Sequence, residues 1–517
     1  MKLADINNPV RFDWLTDEGY RLLASPYLSG GYEARRFLER LTVPTEPLRA
    51  LTAGHEGGIY NGPQFRRNYV NDPKHGVPFL GTTDIMEVDF TNVPLLQAKD
   101  ARSGKLSYLE VKPGMTLISC SGTVGRTCYV RPDMVGFWSS QDTLKVVANI
   151  AKTHPGYIYA FLNSRFGIPM IASQASGSMI QHLEPQHIAD LPVPRFDRRL
   201  EEQIHGSIQA AAELRARFQA GVTAATRDLF ESAGLPELLD LRWRDQPRET
   251  GFVVQRPEVI SLRALNFSPR ASRLTERLQD VPHRSLGEIC NYGMLRTGAR
   301  FKRIDADPAY GVRLIGQRQA FWVHPEGRWI NPNEAPADIL QKDETVLIAA
   351  HGTLGENEVF GRSILVTGTW TEHAYSQDFV RVFSGTPDIS GAYLFAFLRS
   401  EVAFRLLRSM SVGGKQQEYH TALLREMPIP ECTPKDRERI AETVRQAYRS
   451  RDEADALENR AQDLLDVAVR DAAGTDLRQD GGLTPKAEET GGSGDGSDHR
   501  RRRARQRRRA LGDQAPA

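Results

Sequence analysis

Tyr159-Ala160-Phe161-Leu162-Asn163-Ser164 and Phe395-Ala396-Phe397-Leu398-Arg399-Ser400 are two copies of one segment, 236 residues apart. The same spacing carries Ser140-Gln141-Asp142 onto Ser376-Gln377-Asp378, Gly177 onto Gly413, and Gln181 onto Gln417. It carries Leu191-Pro192-Val193-Pro194 onto Met427-Pro428-Ile429-Pro430. Upstream, Phe65-Arg66-Arg67 matches Phe301-Lys302-Arg303 at 236, Gly76 and Gly81 match Gly311 and Gly316 at 235, and Gly122-Thr123-Val124-Gly125 matches Gly352-Thr353-Leu354-Gly355 at 230. An ordered series of matches with small indels is an internal duplication of a whole domain, with a period too long for a solenoid.

Each copy reads as a mixed α+β unit. Met115 to Cys120 is an apolar strand, Ser121 to Gly125 a glycine-bearing loop, and Cys128-Tyr129-Val130 a return strand. Thr345 to Ala350, His351 to Gly355 and Glu358-Val359-Phe360 repeat that plan. Helices are expected at Gly156 to Phe166 and at Ser390 to Leu407. After each Pro-x-Pro comes a long helix. Leu200, Ile204, Ile208, Ala211, Leu214, Phe218, Val222, Ala225 and Leu229 step by three and four, and so do Ile440, Val444, Ala447, Ala454, Leu457, Ala461, Leu464 and Ala468, with Arg451 as the polar seam position. Asp197 and Thr433 are the expected N-caps, the second with Pro434 at the first helical position. Two amphipathic stripes of this length each need a partner. The economical arrangement packs them on each other, antiparallel, as a coiled-coil spacer of roughly 45 Å. That exceeds one turn of B-DNA, about 34–36 Å.

The expected organisation is a first unit over 1–196, a spacer helix over 197–232, a linker over 233–250, a second unit over 251–432, a second helix over 433–472 and a basic tail over 473–517. Net charge is +2, but Thr475 to Ala517 hold ten Lys/Arg against seven Asp/Glu, so the body is nearly neutral and does not by itself announce a nucleic-acid binder. Four scattered cysteines form neither a zinc site nor a disulfide framework, which fits a reducing cytoplasm. Mean hydropathy is −0.45, with no apolar run long enough for a membrane span and no apolar signal stretch at the N-terminus.

Taken together, these segments resemble the specificity subunits of type I restriction–modification enzymes. The carriers are Ser121-Gly122-Thr123-Val124-Gly125, Ser140-Gln141-Asp142, the run from Gly156 to Ser164, Gly177-Ser178, Leu191-Pro192-Val193-Pro194 and Glu202-Gln203-Ile204, across roughly residues 19–472. The resemblance implies two tandem target-recognition domains related by a pseudo-two-fold and bridged by antiparallel helices. It also implies a subunit without a catalytic centre or cofactor, reading a bipartite site on double-stranded DNA. Its partners would be two adenine-methylating modification subunits, often with translocating nuclease subunits. His351 where the first half has Ser121, Gly413-Gly414-Lys415 in place of Gly-Ser, and the Arg-rich tail depart from the pattern. A methylation-associated phage-defence variant is therefore as open as a standard enzyme. Readings of another class are a free-standing DNA-binding regulator and a nuclease with unrecognised catalytic residues.

Candidate contacts follow from side-chain chemistry. Ser121, Thr123 and Arg126, with His351 and Thr353 in the second copy, stand in a loop able to reach phosphate or base edges, although a plain hairpin turn explains the glycines equally. Gln141 and Gln377 have the amide that pairs bidentately with adenine; each also neighbours an aspartate and could belong to a buried polar network. Arg66-Arg67 and Lys302-Arg303 would ordinarily be a solvated face, and their recurrence in both copies brings phosphate contact level with that reading. Gln181-His182 and Lys415-Gln416-Gln417 lie in polar loops before the Pro-x-Pro. No histidine shows metal-ligand spacing. Ile204, Ile208, Ile440 and Val444 mark the helices expected to dock partners. The tail's eight arginines between Arg500 and Arg509 either add affinity for DNA phosphates without specificity or form an incidental solvated tail. Deleting residues 481–517 is expected to weaken binding equally on cognate and unrelated duplexes and to flatten the salt dependence; selective loss on the cognate duplex would make the tail a reader.

Overall fold

The computed structural model describes residues 10–17, 22, 25–122, 124–175, 182–254 and 261–474. The sequence repeat reappears as a repeat of strand order and register. In the first half, β1 (Ile59–Tyr60), β2 (Thr116–Ser119), β3 (Thr127–Tyr129) and β4 (Thr143–Val146) form an antiparallel sheet in the order β1-β4-β2-β3. In the second half, β5 (Met294–Thr297), β6 (Thr345–Ala349), β7 (Ser363–Val366) and β8 (Phe379–Phe383) form the order β5-β8-β6-β7. Leu117 stands opposite Lys145 in the first sheet, and Leu347 opposite Arg381 in the second. A smaller sheet flanks each, containing one parallel pair: Phe79 with Trp138, and Leu314 with Ala374.

Each half closes on itself through its Pro-x-Pro segment. Pro192–Pro194 pairs antiparallel with Thr45–Pro47, and Pro428–Pro430 with His283–Ser285. A buried tyrosine fastens each closure, with Tyr157 donating to the Pro194 carbonyl and Tyr393 to that of Pro430. Those tyrosines open the apolar helices α1 (Pro155–Leu162) and α3 (Gly391–Leu398). The expected single helix from Ser390 to Leu407 is instead two, because Ser400 turns out of the first and caps Glu401–Ser409 by accepting from Ala403 N. Similarly, the run expected to end at Phe166 stops at Leu162. Glu358-Val359-Phe360 is not a strand. Arg408 donates to the carbonyls of Leu354, Gly355, Glu358 and Phe360, holding that stretch as a loop, and the return strand is β7.

The long helices are α2 (Arg198–Ser232) and α4 (Pro434–Ala472), capped by Asp197 on Leu200 N and by Thr433 on Asp436 N. They lie side by side and run in opposite directions. Asp228 pairs with Arg439, Gly221 faces Ala447, Arg215 pairs with Asp455, and Ile204 shares a core with Ala461 and Leu465. A Cβ at Gly221 would come within 2.8 Å of the Ala447 Cβ, so the glycine permits the close approach. Each helix starts beside its own half and ends in the core of the other. Phe218 to Phe230 pack with β6, β8 and α3, whereas Ala461 to Ala473 pack with α1 and the first sheet. The segment after α2 also belongs to this packing: Leu235 and Leu238 are buried, and the guanidinium groups of Arg270 and Arg405 both lie over the ring of Trp243.

The buried line of α4 departs from the expected seam. It runs through Ala454, Glu458, Ala461, Leu465, Val469 and Ala472, leaving Leu457, Leu464 and Ala468 half-buried. The cause is Glu458, whose carboxylate accepts from Arg215 at 2.6 Å, from Tyr159, and lies 3.0 Å from His324 Nε2. Burial alone would raise this carboxyl; His324 and Arg215 outweigh it and hold it below the usual range. Arg451, the expected polar seam residue, is buried over the rings of Trp370 and Tyr448. Among the described residues no helix is long and apolar enough to cross a membrane. Arg215→Met takes the guanidinium from Asp455 and Glu458, leaving Glu458 with His324 and Tyr159, and is expected to cost about 3–5 kcal/mol in denaturant unfolding. Arg215→Met/Glu458→Leu should recover a large part of that; a single-variant loss below about 1 kcal/mol would contradict the assignment.

Candidate nucleic-acid interface

The candidate residues gather at the end of each large sheet where β2 and β6 run out. In the first half, Lys145 is fully buried and its ammonium donates to the carbonyls of Ser140 (2.8 Å) and Thr143 (2.9 Å). The turn Ser140-Gln141-Asp142-Thr143 is thus wrapped on a cation. Burial pulls the Lys145 pKa down to about 7. Asp142 is reached by Arg67 at 2.6 Å, and Cys120 N donates to the Asp142 carbonyl. Ser121 pairs with the exposed His182 in an antiparallel bridge, bringing the loop after β2 beside the segment before the Pro-x-Pro. Asn61 donates to Glu184 at the same place. Gln141 is half-buried, and its Oε1 has no hydrogen-bond partner among the described residues.

The second half builds the same place from different chemistry. Arg303 reaches Gln377 (2.9 Å) where Arg67 reached the neighbouring aspartate. His351 stands between two carboxylates, with Nδ1 3.4 Å from Asp378 and Nε2 3.4 Å from Glu418. Gln317 clamps its backbone, accepting from Ala350 N and His351 N and donating to the His351 carbonyl. Arg381 replaces Lys145 as the buried cation and donates to the Tyr375 carbonyl. Opposite, the strands Ser411–Gly413 and Gln417–Tyr419 form a hairpin whose tip carries the exposed Lys415 and Gln416, with Gly413 in the left-handed region at φ 99°.

The structure therefore brings Arg67, Ser121, Gln141 and His182 together in one cluster, and Arg303, His351, Gln377 and the hairpin in another. Arg66, Lys302 and Thr353 are exposed beside them. Three expectations change. Arg126 points away: its guanidinium lies 4.2 Å over the Trp322 ring and pairs with Glu326, between the halves. Gln417 is buried, its N–H bonded to the Gly352 carbonyl and its amide to Ser411 and Gly414, so it builds the hairpin and offers nothing to a ligand. Ile204, Ile208, Ile440 and Val444 are all interior, so a docking partner could meet only the outer faces of the helices. Thr123, Gln181 and Gly177-Ser178 lie outside the described residues, as does the tail from Thr475.

Sequence reading missed Gln317, Glu418, Asn61 and Glu184, which join the clusters from distant segments. It also missed Lys145 and Arg381, although a cation at matched positions of two apolar strands was a usable signal. The clusters offer exposed cations for phosphate and amides for base edges. Among the described residues no group of three side chains is placed to hold a metal ion. The Cys120 and Cys128 thiols are pushed up to about 12 by burial, far from a nucleophile's range. Gln417→Ala should lose about 1–3 kcal/mol of thermal stability, while Lys415→Ala and Gln416→Ala stay within about 0.5 kcal/mol. Equal, small effects at all three would return Gln417 to the exposed set.

No family model matches the sequence, and no curated protein matches it. Among solved structures the chain is similar to the S subunit of a type I restriction–modification system from M. genitalium, at 12% identity over 84% of this chain and 95% of that one, with a TM-score of 0.34. It is similar to the HsdS subunit from Thermoanaerobacter tengcongensis at 12% identity, over 83% and 97% of the two chains, with a TM-score of 0.26. A chain from a study of complex assembly and conformational transition in the type I R-M system is similar at 13% identity, over 84% and 99%, with a TM-score of 0.23. The solved chains to which this one is similar along most of both lengths thus include S subunits of type I restriction–modification systems.

Proposed function

We propose that this chain is a non-catalytic DNA-recognition subunit of a type I-like restriction–modification or related defence complex. The two halves act as tandem target-recognition domains related by a pseudo-two-fold, each reading one part of a bipartite site, with α2 and α4 as the coiled-coil spacer. The observation that carries this reading is the double construction of one cluster. A buried cation, a Ser-Gln-Asp turn and an arginine reaching that turn recur 236 residues apart, at the corresponding end of each half's large sheet. Duplex DNA presents two backbones and successive grooves, so a protein that duplicates its contact surface can engage two stretches of one duplex.

Arg66, Lys302 and Lys415 supply phosphate contacts, and Gln141, Gln377 and Gln416 the base-reading amides. His351, with Asp378 and Glu418 on its flanks, gives the second half a character the first lacks, so the two half-sites differ. Two adenine methyltransferase subunits, one per half, would dock on the outer faces of α2 and α4, where Gln203, Glu213, Arg217, Glu442, Gln446 and Arg449 are exposed. The purified chain with S-adenosylmethionine should methylate no duplex, and methylation should appear only when an adenine methyltransferase subunit co-purifies with it. Lys302→Ala should weaken binding to every duplex and lower the salt slope by about one, whereas Gln416→Ala should change which sequences are selected at one half-site only. Methyl transfer or cleavage by the chain alone would replace this reading with an enzymatic one.

A further inference from the structure

The halves also touch each other directly, over the midpoints of α2 and α4, through a contact that is related to itself by the repeat. Val88 N donates to the Phe321 carbonyl (2.9 Å) and Val323 N to that of Met86 (2.8 Å), with Glu87 directly opposite Trp322. Residues 86 and 88 stand 235 before 321 and 323, so each hydrogen bond is the image of the other under the spacing that relates Gly76 to Gly311. A local two-fold therefore passes between Glu87 and Trp322. The side chains are exchanged as well. Trp322 is 8% exposed and packs in the first half's core with Leu80, Met86 and Leu117, while Val88 packs in the core of the second half with the helices.

Polar contacts surround this exchange. Arg126 covers the Trp322 ring and pairs with Glu326. Asp89 is held by Arg399 at 2.6 Å and by Gln219 of α2, and Phe90 N donates to the same Gln219. Burial would raise the Asp89 carboxyl, but Arg399 and its hydrogen bonds keep it well below the usual range. Glu458 draws in Tyr159 from the first half and His324 from the second.

Two helices joined along one seam resist separation but can twist and curve about it. An attachment away from the seam removes that freedom. On DNA, adding one base pair between half-sites moves the second by about 3.4 Å and turns it by roughly 35°. We propose that this interlock, anchored by Trp322, sets the number of base pairs between the two half-sites by fixing the halves against twist. The inference rests on the bipartite reading above and adds to it a named determinant of spacing specificity.

The test uses the full-length chain and a random-sequence duplex library. Sites selected by the unsubstituted protein are sequenced, then rebuilt with the spacer lengthened or shortened by one base pair. The unsubstituted protein should prefer one spacing by about tenfold or more. Trp322→Ala should bind the three spacings within about threefold of one another. The double variant E87C/W322C covers the case in which Trp322→Ala does not fold. An opposed antiparallel pair of this kind has Cα atoms about 4.5 Å apart, within disulfide range. Burial pushes the Glu87 carboxyl up to about 8, so its removal deletes a poorly solvated acid rather than a stabilising one. Reduced, this variant should tolerate all three spacings; oxidised, it should regain the sharp preference. A reduced variant as selective as the unsubstituted protein overturns the inference and leaves the bipartite reading standing. Selection of no spaced pair by the unsubstituted protein overturns the bipartite reading itself, and this inference with it.

Discussion

The antiparallel packing of α2 on α4 is the constraint on which the rest of the molecule depends. Neither half owns a complete core. The end of α2, from Phe218 to Phe230, fills the second half, and the end of α4, from Ala461 to Ala473, fills the first. Thr42 of the first half even bonds the carbonyl of Ala472, the last residue of α4. Burial of apolar surface thus links folding of the halves to pairing of the helices, and pairing in turn needs the bare backbone of Gly221 beneath Ala447. This shared burial holds the two halves together, and the backbone contact at Glu87 and Trp322 adds a second attachment between them away from the helix seam.

The interior of that seam is not uniformly apolar. Glu458 and Arg215 are both buried, and their charge is shared with Asp455, Tyr159 and His324. A buried ion pair of this kind contributes little net stability but penalises any alternative register strongly, because a slip would leave a charge unpaired in the interior. It falls at the middle of both helices, beside the contact between Glu87 and Trp322. Register of the helices and relative placement of the halves are therefore set in one region.

Much of this architecture is legible in the sequence. The repeat at spacings of 230 to 236, the caps Asp197 and Thr433, the two long helices and the strands at Thr116–Ser119 and Thr345–Ala349 all carry local signals: repeated residues, capping chemistry and period. The misses share a different cause. Glu458 looks like a surface residue because the arginine, tyrosine and histidine that bury it come from three distant segments. Glu358 to Phe360 has strand-like composition, but Arg408 satisfies its carbonyls in a loop. Arg126 has the chemistry of a phosphate contact, yet the face of Trp322 lies nearer. Of Lys415, Gln416 and Gln417, only the hairpin register decides which amide is turned inward. In each case the deciding partner lay beyond the reach of periodicity.

On the proposed reading, two equivalent loop clusters engage one duplex at the same time. Hydroxyl-radical footprinting of the full-length protein on a selected duplex tests it most directly. The account predicts two protected patches separated by an exposed interval, with centres about 10 base pairs or more apart. It further predicts that substituting Lys302 and Lys415 fades one patch and leaves the other. A single continuous patch, or two patches that fade together, would contradict it.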